Sequence, residues 1–296
     1  ACKEHRILRC FVSPPCPSIF ALRLRMHILV TGGAGFIGGH LCERLIGSGH
    51  VVTAVDNFDC FYARSQKEDG IAAIRSHDRF TLVEDDILHL DALTDALGSR
   101  PPDAVVHLAA KAGVRPSIDD PLAYHRANVL GTQSMLSLAH RLDAKTFILG
   151  SSSSVYGNSS DIPFTESARV DQPISPYAAS KRAAELAAFT HHHLYGTTVH
   201  ALRFFTVYGP RQRPDLAIHK FTRMMLRDET IPMYGDGTTS RDYTYVADIV
   251  DGIVRSLNHA ASNPESFEII NLGNSTPVPL QTLIDLLGKT LGVTPH

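Results

Sequence analysis

A glycine-rich turn near the start of the chain constrains its fold more than any other feature. The apolar run His27-Ile28-Leu29-Val30 indicates a buried parallel strand, and an amphipathic helical pattern ending near Gly49 follows the turn. Between them the glycines match two overlapping patterns, G-x-G-x-x-G from Gly33 and G-x-x-G-x-x-G from Gly32. Strand, turn and helix in this order bring backbone N–H groups and a helix N-terminus to a pyrophosphate. The pattern predicts a Rossmann-type dinucleotide site at Gly32, Gly35, Phe36, Ile37 and Gly38.

The second predicted strand, residues 51–55, ends at an acid. Asp56 lies 18 residues after Gly38, where a carboxylate accepts hydrogen bonds from a ribose diol. Because an acid repels a 2′-phosphate, we expect NAD rather than NADP. Asn57 beside this acid, and Asp86 and Ile87 after a third strand at 80–83, are expected to border the adenosine of the same cofactor. A helix-capping role for the acid after the third strand remains an alternative.

Regular alternation of strands and helices predicts the fold class. A fourth strand begins at Ala104 and ends in the small-residue stretch Leu108, Ala109 and Ala110, which leaves room for the cofactor above the sheet. A helix from Asn128 and a fifth strand at 146–149 complete the pattern. We predict an α/β protein, a doubly wound parallel sheet with a smaller substrate lobe. The cofactor domain is expected at 26–203 with 240–260 returning to it, and the lobe at 204–239 and 261–296.

A serine cluster follows the fifth strand, at Gly150-Ser151-Ser152-Ser153-Ser154-Val155-Tyr156-Gly157. Hydroxyls at the carboxyl end of a parallel strand face the crevice that holds the cofactor, so one of them can hydrogen-bond a substrate oxygen. Loop capping is the alternative explanation.

The segment Ser175-Pro176-Tyr177-Ala178-Ala179-Ser180-Lys181 predicts a helix start, with Ser175 as N-cap and proline at the first helical position. Tyr177 and Lys181 then lie one turn apart on one face. An ammonium near a phenol favours the ionised phenol, and general-base work near neutral pH needs the pKa of a tyrosine lowered from about 10. We expect Tyr177 to be such a base.

Composition excludes several classes of protein. The formal net charge of −2 gives no basic surplus for nucleic acid or membranes, and no apolar run approaches the ~18 residues of a membrane span. The five cysteines show no C-x-x-C pair and none lies beyond Cys60, which predicts free thiols in a reducing, cytoplasmic compartment and no structural metal.

Residues 1–25 differ in composition from the rest and are expected to be an extension outside the fold.

From Met26 onward the chain resembles the nucleotide-sugar epimerases of the extended short-chain dehydrogenase/reductase family, and within them the UDP-glucuronate 4-epimerases. The resemblance rests on the glycine turn and on the motifs at 151–157, 173–181, 202–211 and 235–246. It implies bound NAD, a UDP-sugar substrate, and a catalytic set of Ser152, Tyr177 and Lys181. Related dehydratases carry an Asp-Glu pair after the serine, where this chain has Ser153 and Ser154, so epimerisation at C4 is favoured over dehydration.

The resemblance also assigns the substrate side. Thr206 and Arg213 correspond to positions that contact the sugar carboxylate, and Ser153 and Ser154 offer further hydroxyls. Arg241 matches a diphosphate-binding arginine, and Tyr234 an aromatic residue near the uracil. A homodimer is implied as well. Family members continue for a few dozen residues past 283–287, so the lobe is expected to be incomplete at its C-terminal end. The alternatives are a UDP-glucose/UDP-galactose 4-epimerase and a non-catalytic NAD-binding module.

Overall fold

A computed structural model describes residues 25–233, 237 and 239–295. Ten strands are present in this part of the chain. They are β1 His27–Thr31, β2 Val51–Val55, β3 Phe80–Val83, β4 Ala104–His107, β5 Thr146–Ser152, β6 Thr198–Phe204, β7 Thr206–Tyr208, β8 Ser240–Tyr245, β9 Phe267–Leu272 and β10 Pro277–Pro279. Seven of them form one parallel sheet in the order β3-β2-β1-β4-β5-β6-β9. The predicted doubly wound parallel sheet is confirmed.

Helices cover both faces of this sheet. They are α1 Phe36–Gly47, α2 Arg64–Ile71, α3 Leu90–Leu97, α4 Val114–Asp119, α5 Pro121–His125, α6 Gly131–Arg141, α7 Pro176–Tyr195, α8 Ala217–Met225, α9 Val246–Ser262 and α10 Leu280–Leu291. A π-helical turn, Arg126–Leu130, joins α5 to α6, and a 3₁₀ turn, Ser153–Tyr156, follows β5. No described helix is long and apolar enough to cross a membrane.

The core lies in two layers, one on each face of the large sheet. Because strand side chains alternate, Ile28 and Val30 of β1 pack into a cluster with α1 and α9, whereas Leu29 packs into a second cluster with α3, α6 and α7. Both layers are filled by fully buried aliphatic side chains. Strands buried on both faces consist of continuous apolar runs, which is why the sequence predicted them well.

Strand order reverses between β1 and β4. The chain runs outward from β1 to β3 and then returns to place β4 on the other side of β1. In open α/β sheets, ligands bind at such a reversal, outside the carboxyl ends of the strands. The ends of β1, β2, β4 and β5 therefore mark where the site should lie.

A second, three-stranded sheet of β7, β8 and β10 and the helices α8 and α10 lie beyond this domain. Phe221, Met225, Ile231 and Ile284 form their shared core. One part of the predicted division needs correction. We expected 261–296 to belong to the smaller lobe, but β9 pairs with β6 in the large sheet over Phe267–Leu272. An apolar strand gains a full ladder of backbone hydrogen bonds by joining that sheet edge.

Candidate active site

The glycine turn has a shape that only glycine permits at two positions. Gly32 has a φ of +69°, and a Cβ there would lie 2.8 Å from the backbone nitrogen of Ala109. A Cβ on Gly38 would lie 2.1 Å from the carbonyl oxygen of Gly32. Gly35 is the N-cap of α1 and provides no side-chain cap. The Phe36 N–H at the first turn donates to the Tyr62 hydroxyl, so a ligand bound there would replace or share this contact. The turn is therefore a backbone cradle that fits the pyrophosphate of a dinucleotide.

Asp56 is buried at the end of β2 and accepts three hydrogen bonds. Its Oδ2 accepts from the Ala34 backbone N–H at 3.1 Å, and its Oδ1 from the Phe58 N–H at 2.9 Å. The third donor is the buried Lys67 ammonium, whose Nζ lies 3.3 Å from Oδ1. Sequence analysis assigned no role to this lysine. Because Lys67 balances the charge of Asp56, the expected repulsion of a 2′-phosphate is weaker than the carboxylate alone would give.

The other residues assigned to the cofactor lie along the same edge of the sheet. The Asn57 side-chain amide donates to Asp86 Oδ2 at 3.0 Å, and the Leu88 N–H donates to Asp86 Oδ1 at 2.9 Å. Asp86 therefore does cap a turn, as the alternative held, and it also orients Asn57. Ile87 is buried against Gly131, where a Cβ would lie 2.4 Å from Ile87 Cδ1.

Leu108, Ala109 and Ala110 follow β4 and are all partly exposed. The Leu108 N–H donates to the Thr31 carbonyl at 3.2 Å, and the Ala109 N–H to Thr31 Oγ1 at 3.2 Å. This segment is therefore tied to the strand that leads into the glycine turn.

Ser152, Tyr177 and Lys181 meet at the carboxyl end of β5. Helix α7 begins as predicted, with the Ser175 hydroxyl accepting from the Ala178 N–H at 3.1 Å and proline at the first turn. Ser152 is the last residue of β5, and its hydroxyl is hydrogen-bonded to the Tyr177 phenol. Lys181 is buried one turn further along α7, and its Nζ donates to the Gly150 carbonyl at 2.9 Å.

The electrostatics of the phenol differ from the expectation. Burial raises the pKa of Tyr177, while the hydrogen bond from Ser152 and the positive charge of Arg213 act in the opposite direction. We expected the Lys181 ammonium to lower this pKa, but among the described residues the cation that does so is Arg213. The lysine is directed at a backbone carbonyl instead. Burial lowers the pKa of Lys181 to about 8, opposed by the negative charge of Glu185.

A buried ion pair supports the serine strand, and sequence analysis missed it. Glu185 accepts from the Ser151 hydroxyl at 2.6 Å and from Arg203 through Nε at 2.9 Å and Nη2 at 3.0 Å. Burial alone would raise the pKa of Glu185, but the hydrogen bonds from Arg203 and Ser151 leave it lowered. Arg203 Nη1 also donates to the Tyr156 hydroxyl at 2.9 Å. Glu185 lies four residues after Lys181 on α7, so helical spacing was the one sequence feature that could have indicated a role for Glu185 near the site.

A second buried network runs beneath the glycine turn. Thr31 Oγ1 lies 2.7 Å from His107 Nδ1, and His107 Nε2 lies 3.1 Å from Thr132 Oγ1. Since the Thr132 hydroxyl donates to the Asn128 carbonyl at 2.6 Å, it accepts from Nε2, which assigns the neutral tautomer with the proton on Nε2. Burial lowers the pKa of His107 to about 3, so the ring stays neutral. Asn128 continues the network to Ser180 of α7 at 2.9 Å.

The residues assigned to the substrate are only partly brought together. Ser153 and Ser154 form the turn directly after Ser152, and the Ser154 N–H donates to the Ser152 hydroxyl at 3.2 Å. Thr206 begins β7 and is half-buried. Arg241 is exposed and its Nη1 donates to the Ser240 carbonyl at 2.9 Å, so no contact in the described residues joins it to the serine turn. Tyr234 lies outside the described residues.

Arg213 is held by two neighbours. Its Nε and Nη2 donate to the two carboxylate oxygens of Asp215 at 3.0 and 2.7 Å, and its guanidinium carbon lies 5.0 Å from the centre of the Phe61 ring. This side-on pairing leaves the two protons of Nη1 and one of Nη2 for another acceptor. The arginine is thus oriented while one edge remains able to bind a carboxylate.

Two features at one edge of the parallel sheet define the class of protein: a backbone cradle for a dinucleotide, and a Ser-Tyr-Lys set. Both are typical of dinucleotide-dependent enzymes of the short-chain dehydrogenase/reductase type. Comparison with known proteins narrows this class. The NAD dependent epimerase/dehydratase family matches residues 28–273. A UDP-glucuronate 4-epimerase of Thermodesulfobacterium geofontis is 40% identical over 267 residues, which are 90% of this chain and 81% of that protein. The chain belongs to the NAD dependent epimerase/dehydratase family.

Solved structures agree with this assignment. The crystal structure of UDP-glucuronic acid 4-epimerase from Bacillus cereus, in complex with UDP-glucuronic acid and NAD, is similar with a TM-score of 0.85 and 36% identity, over 92% of this chain and 85% of that one. A dTDP-glucose 4,6-dehydratase from Streptomyces venezuelae is similar with a TM-score of 0.82 and 32% identity, over 91% of this chain and 82% of that one. The fold is thus shared by epimerases and dehydratases, and residues at the site must distinguish them.

Proposed function

We propose that this protein is an NAD-dependent isomerase that interconverts UDP-glucuronate and UDP-galacturonate by inverting C4 through a transient 4-keto sugar. The observation that carries the proposal is the hydrogen bond between Ser152 and Tyr177 at the end of β5, with the charge of Arg213 acting on the same phenol. The relatives from Thermodesulfobacterium geofontis and Bacillus cereus, which are named as 4-epimerases of UDP-glucuronate, support this proposal. Ser153 and Ser154, where dehydratases of the family place an acid pair, favour epimerisation over elimination.

The residues described above fit NAD. The first turn of α1 would hold the pyrophosphate and Asp56 the adenosine ribose, with Asn57, Asp86 and Ile87 beside the adenine. Leu108 to Ala110 would line the path to the nicotinamide, and Lys181 would hold its ribose. When bound, NAD supplies an oxidised nicotinamide that accepts the hydrogen of C4 with its electron pair and later returns it.

In this proposal the protein's own side chains remove one proton from the sugar and later return it. Ser152 orients the sugar 4-hydroxyl, and Tyr177 takes its proton while the C4–H bond breaks. After the keto sugar has turned over, Tyr177 gives the proton back to the oxygen at C4. Because burial raises the pKa of Tyr177, positive charge near the phenol is needed for this role. Arg213 and the bound nicotinamide are its sources.

Arg213 is proposed to hold the carboxylate of the sugar, with Thr206 and Ser153 adding hydroxyl donors. A guanidinium suits a planar carboxylate because two parallel N–H bonds can form. Firm binding also matters chemically, since a ketone at C4 lies β to this carboxylate and favours its loss as carbon dioxide.

Replacing Arg213 by alanine tests this specificity. We expect kcat/KM for UDP-glucuronate to fall by about 10- to 100-fold more than kcat/KM for UDP-glucose. Both sugars lose the positive charge near Tyr177, but only the acidic sugar also loses a charge-assisted hydrogen-bond pair. Steady-state assays with both sugars provide the measurement. An equal fall in kcat/KM for the two sugars would show that Arg213 does not bind the sugar carboxylate.

One observation favours a second candidate, a 4-epimerase for neutral UDP-glucose and UDP-galactose. Arg213 is already paired with Asp215 through two hydrogen bonds, so its charge is largely balanced before any sugar binds. Faster turnover of neutral than of acidic sugars by the unaltered protein would favour this candidate.

We further propose a homodimer. Helices α4 to α7 expose large apolar side chains on the surface, among them Ile118, Leu122, Leu130, Leu186, Phe189 and Leu194. Such a face is typical of an interface between copies. Light scattering after gel filtration should give twice the mass of one chain, and a charge at Leu186 should reduce it to one.

We also place the protein in the cytoplasm. Cys42 and Cys60 are both free thiols, the second of them exposed, which suits a reducing compartment. Detection of the protein in a secreted fraction would oppose this location.

A further inference from the structure

Arg211 joins two parts of the molecule that lie far apart in sequence. Its Nη1 and Nη2 donate to the two carboxylate oxygens of Glu43, 168 residues away, at 2.8 and 2.7 Å. Nη1 also donates to the Gly70 carbonyl. Glu43 belongs to α1, the helix that begins at the glycine turn, and Gly70 belongs to α2. One arginine thus makes three hydrogen bonds from the loop before α8 to two helices of the cofactor domain.

The backbone of this loop adopts conformations that are costly without support. Arg211 has a φ of +62°, a left-handed value that non-glycine residues rarely adopt. Gly209 has a φ of +145°, and a Cβ there would lie 2.7 Å from Val246 Cγ1. Backbone strain persists only where surrounding contacts hold it, and it concentrates at functional sites. The side chain of Arg211 is held by its contacts with Glu43 and Gly70.

The same loop carries Arg213, two residues further on. Arg213 lies over the Phe61 ring, and its charge acts on the Tyr177 phenol. A shift of the loop away from α1 would therefore move this guanidinium relative to both groups.

We infer that Arg211 is a positioning residue, which through Glu43 fixes the loop that carries Arg213 and so sets the affinity for the acidic sugar. This inference rests on the proposed function. In this proposal Arg211 touches neither sugar nor nicotinamide and acts through Arg213.

Direct binding of the cofactor is an alternative role for Arg211. The side chain of Arg211 also lines a small cleft with Gly35, Phe36 and Tyr62, beside the first turn of α1. Arg211 would then serve the cofactor directly. Glu43 does not line that cleft, so substituting Glu43 removes two of the hydrogen bonds that hold the loop while keeping the arginine side chain itself.

The test compares R211M and E43Q in the NAD-loaded protein, with R44M as the matched control. Arg44 lies on the same helix and pairs at 3.8 Å with Asp251 of α9, which does not involve the loop. Steady-state kinetics gives kcat and KM for UDP-glucuronate, calorimetry gives the Kd of the same sugar, and absorbance of cofactor released by denaturation gives the NAD content.

We expect KM and Kd to rise about threefold to tenfold in R211M and in E43Q, with NAD content unchanged and a fall in kcat that is smaller than the rise in KM. R44M should match the unaltered protein, and the charge-swapped E43R/R211E should recover part of the lost affinity. Affinity unchanged in both single variants would overturn the inference, and so would a loss of NAD in R211M alone. Absent turnover in the unaltered protein contradicts the proposed function, whereas the Kd values still test the loop.

Discussion

Tyr177→Phe is expected to lower kcat for UDP-glucuronate by at least about 10²-fold, the usual loss when a general base is removed. The phenol is the one group in the proposal that takes the proton from the sugar and returns it. Its ring also packs edge-on against Tyr124, with centroids 6.2 Å apart, and phenylalanine keeps that contact. Conversion of UDP-glucuronate to UDP-galacturonate, measured at saturating sugar, checks the prediction.

Tyr124→Phe is the matched control for this experiment. It removes a hydroxyl from the neighbouring ring, where the oxygen donates to the Ala112 carbonyl at 3.0 Å and not to Ser152. We expect its kcat to stay within about fivefold, the cost of one ordinary hydrogen bond. Equal activity in the Tyr177 variant and the unaltered protein, with NAD bound in both, would rule out the phenol as the base.

Arg203→Met is expected to destabilise the fold strongly, by about 3 kcal/mol in the free energy of unfolding, because it removes two hydrogen bonds to a buried carboxylate and leaves the partly exposed Arg182 as the cation paired with it. Arg203 and Glu185 are both fully buried, and two of the four hydrogen bonds to Glu185 come from this arginine. Urea unfolding of the NAD-loaded protein measures the change.

Two variants make this result specific. In E185Q/R203M both charges are removed together, and we expect stability to return to within about 2 kcal/mol of the unaltered protein. Arg141→Met removes an arginine paired with Asp91 on the surface at 2.8 Å, where we expect a change below about 0.5 kcal/mol. A similar small change in Arg203→Met would mean that the buried pair does not stabilise the protein.

The central sheet could be predicted because its physical signal is local. Strands such as β1 and β2 are buried on both faces, and glycine punctuates the turn between β1 and α1, so short windows of sequence contain the information. Strand β9 was assigned to the wrong part of the molecule for the opposite reason. Its partner β6 lies about 70 residues earlier in the chain, and nothing in either segment alone specifies their pairing.

The predictions for the site divide in the same way, into local features that the sequence contains and tertiary contacts that it does not. Tyr177 and Lys181 could be placed on one face of a helix from their spacing, but spacing does not reveal that the ammonium bonds to Gly150. Lys67, Arg203 and Arg211 were missed as partners of acids because each contact depends on tertiary geometry across the fold. Sequence analysis could name candidate residues for the chemistry, and the structure was needed for the charges that surround them.

The most direct test of the whole account follows deuterium placed on C4 of UDP-glucuronate. NMR spectroscopy of the reaction in ordinary water reports whether the label stays on that carbon as the centre inverts. Because C4 should lose its hydrogen with an electron pair inside a site closed to exchange, we predict UDP-galacturonate that keeps deuterium at C4. Product with solvent hydrogen at that carbon, or no inverted product at all, would contradict the account.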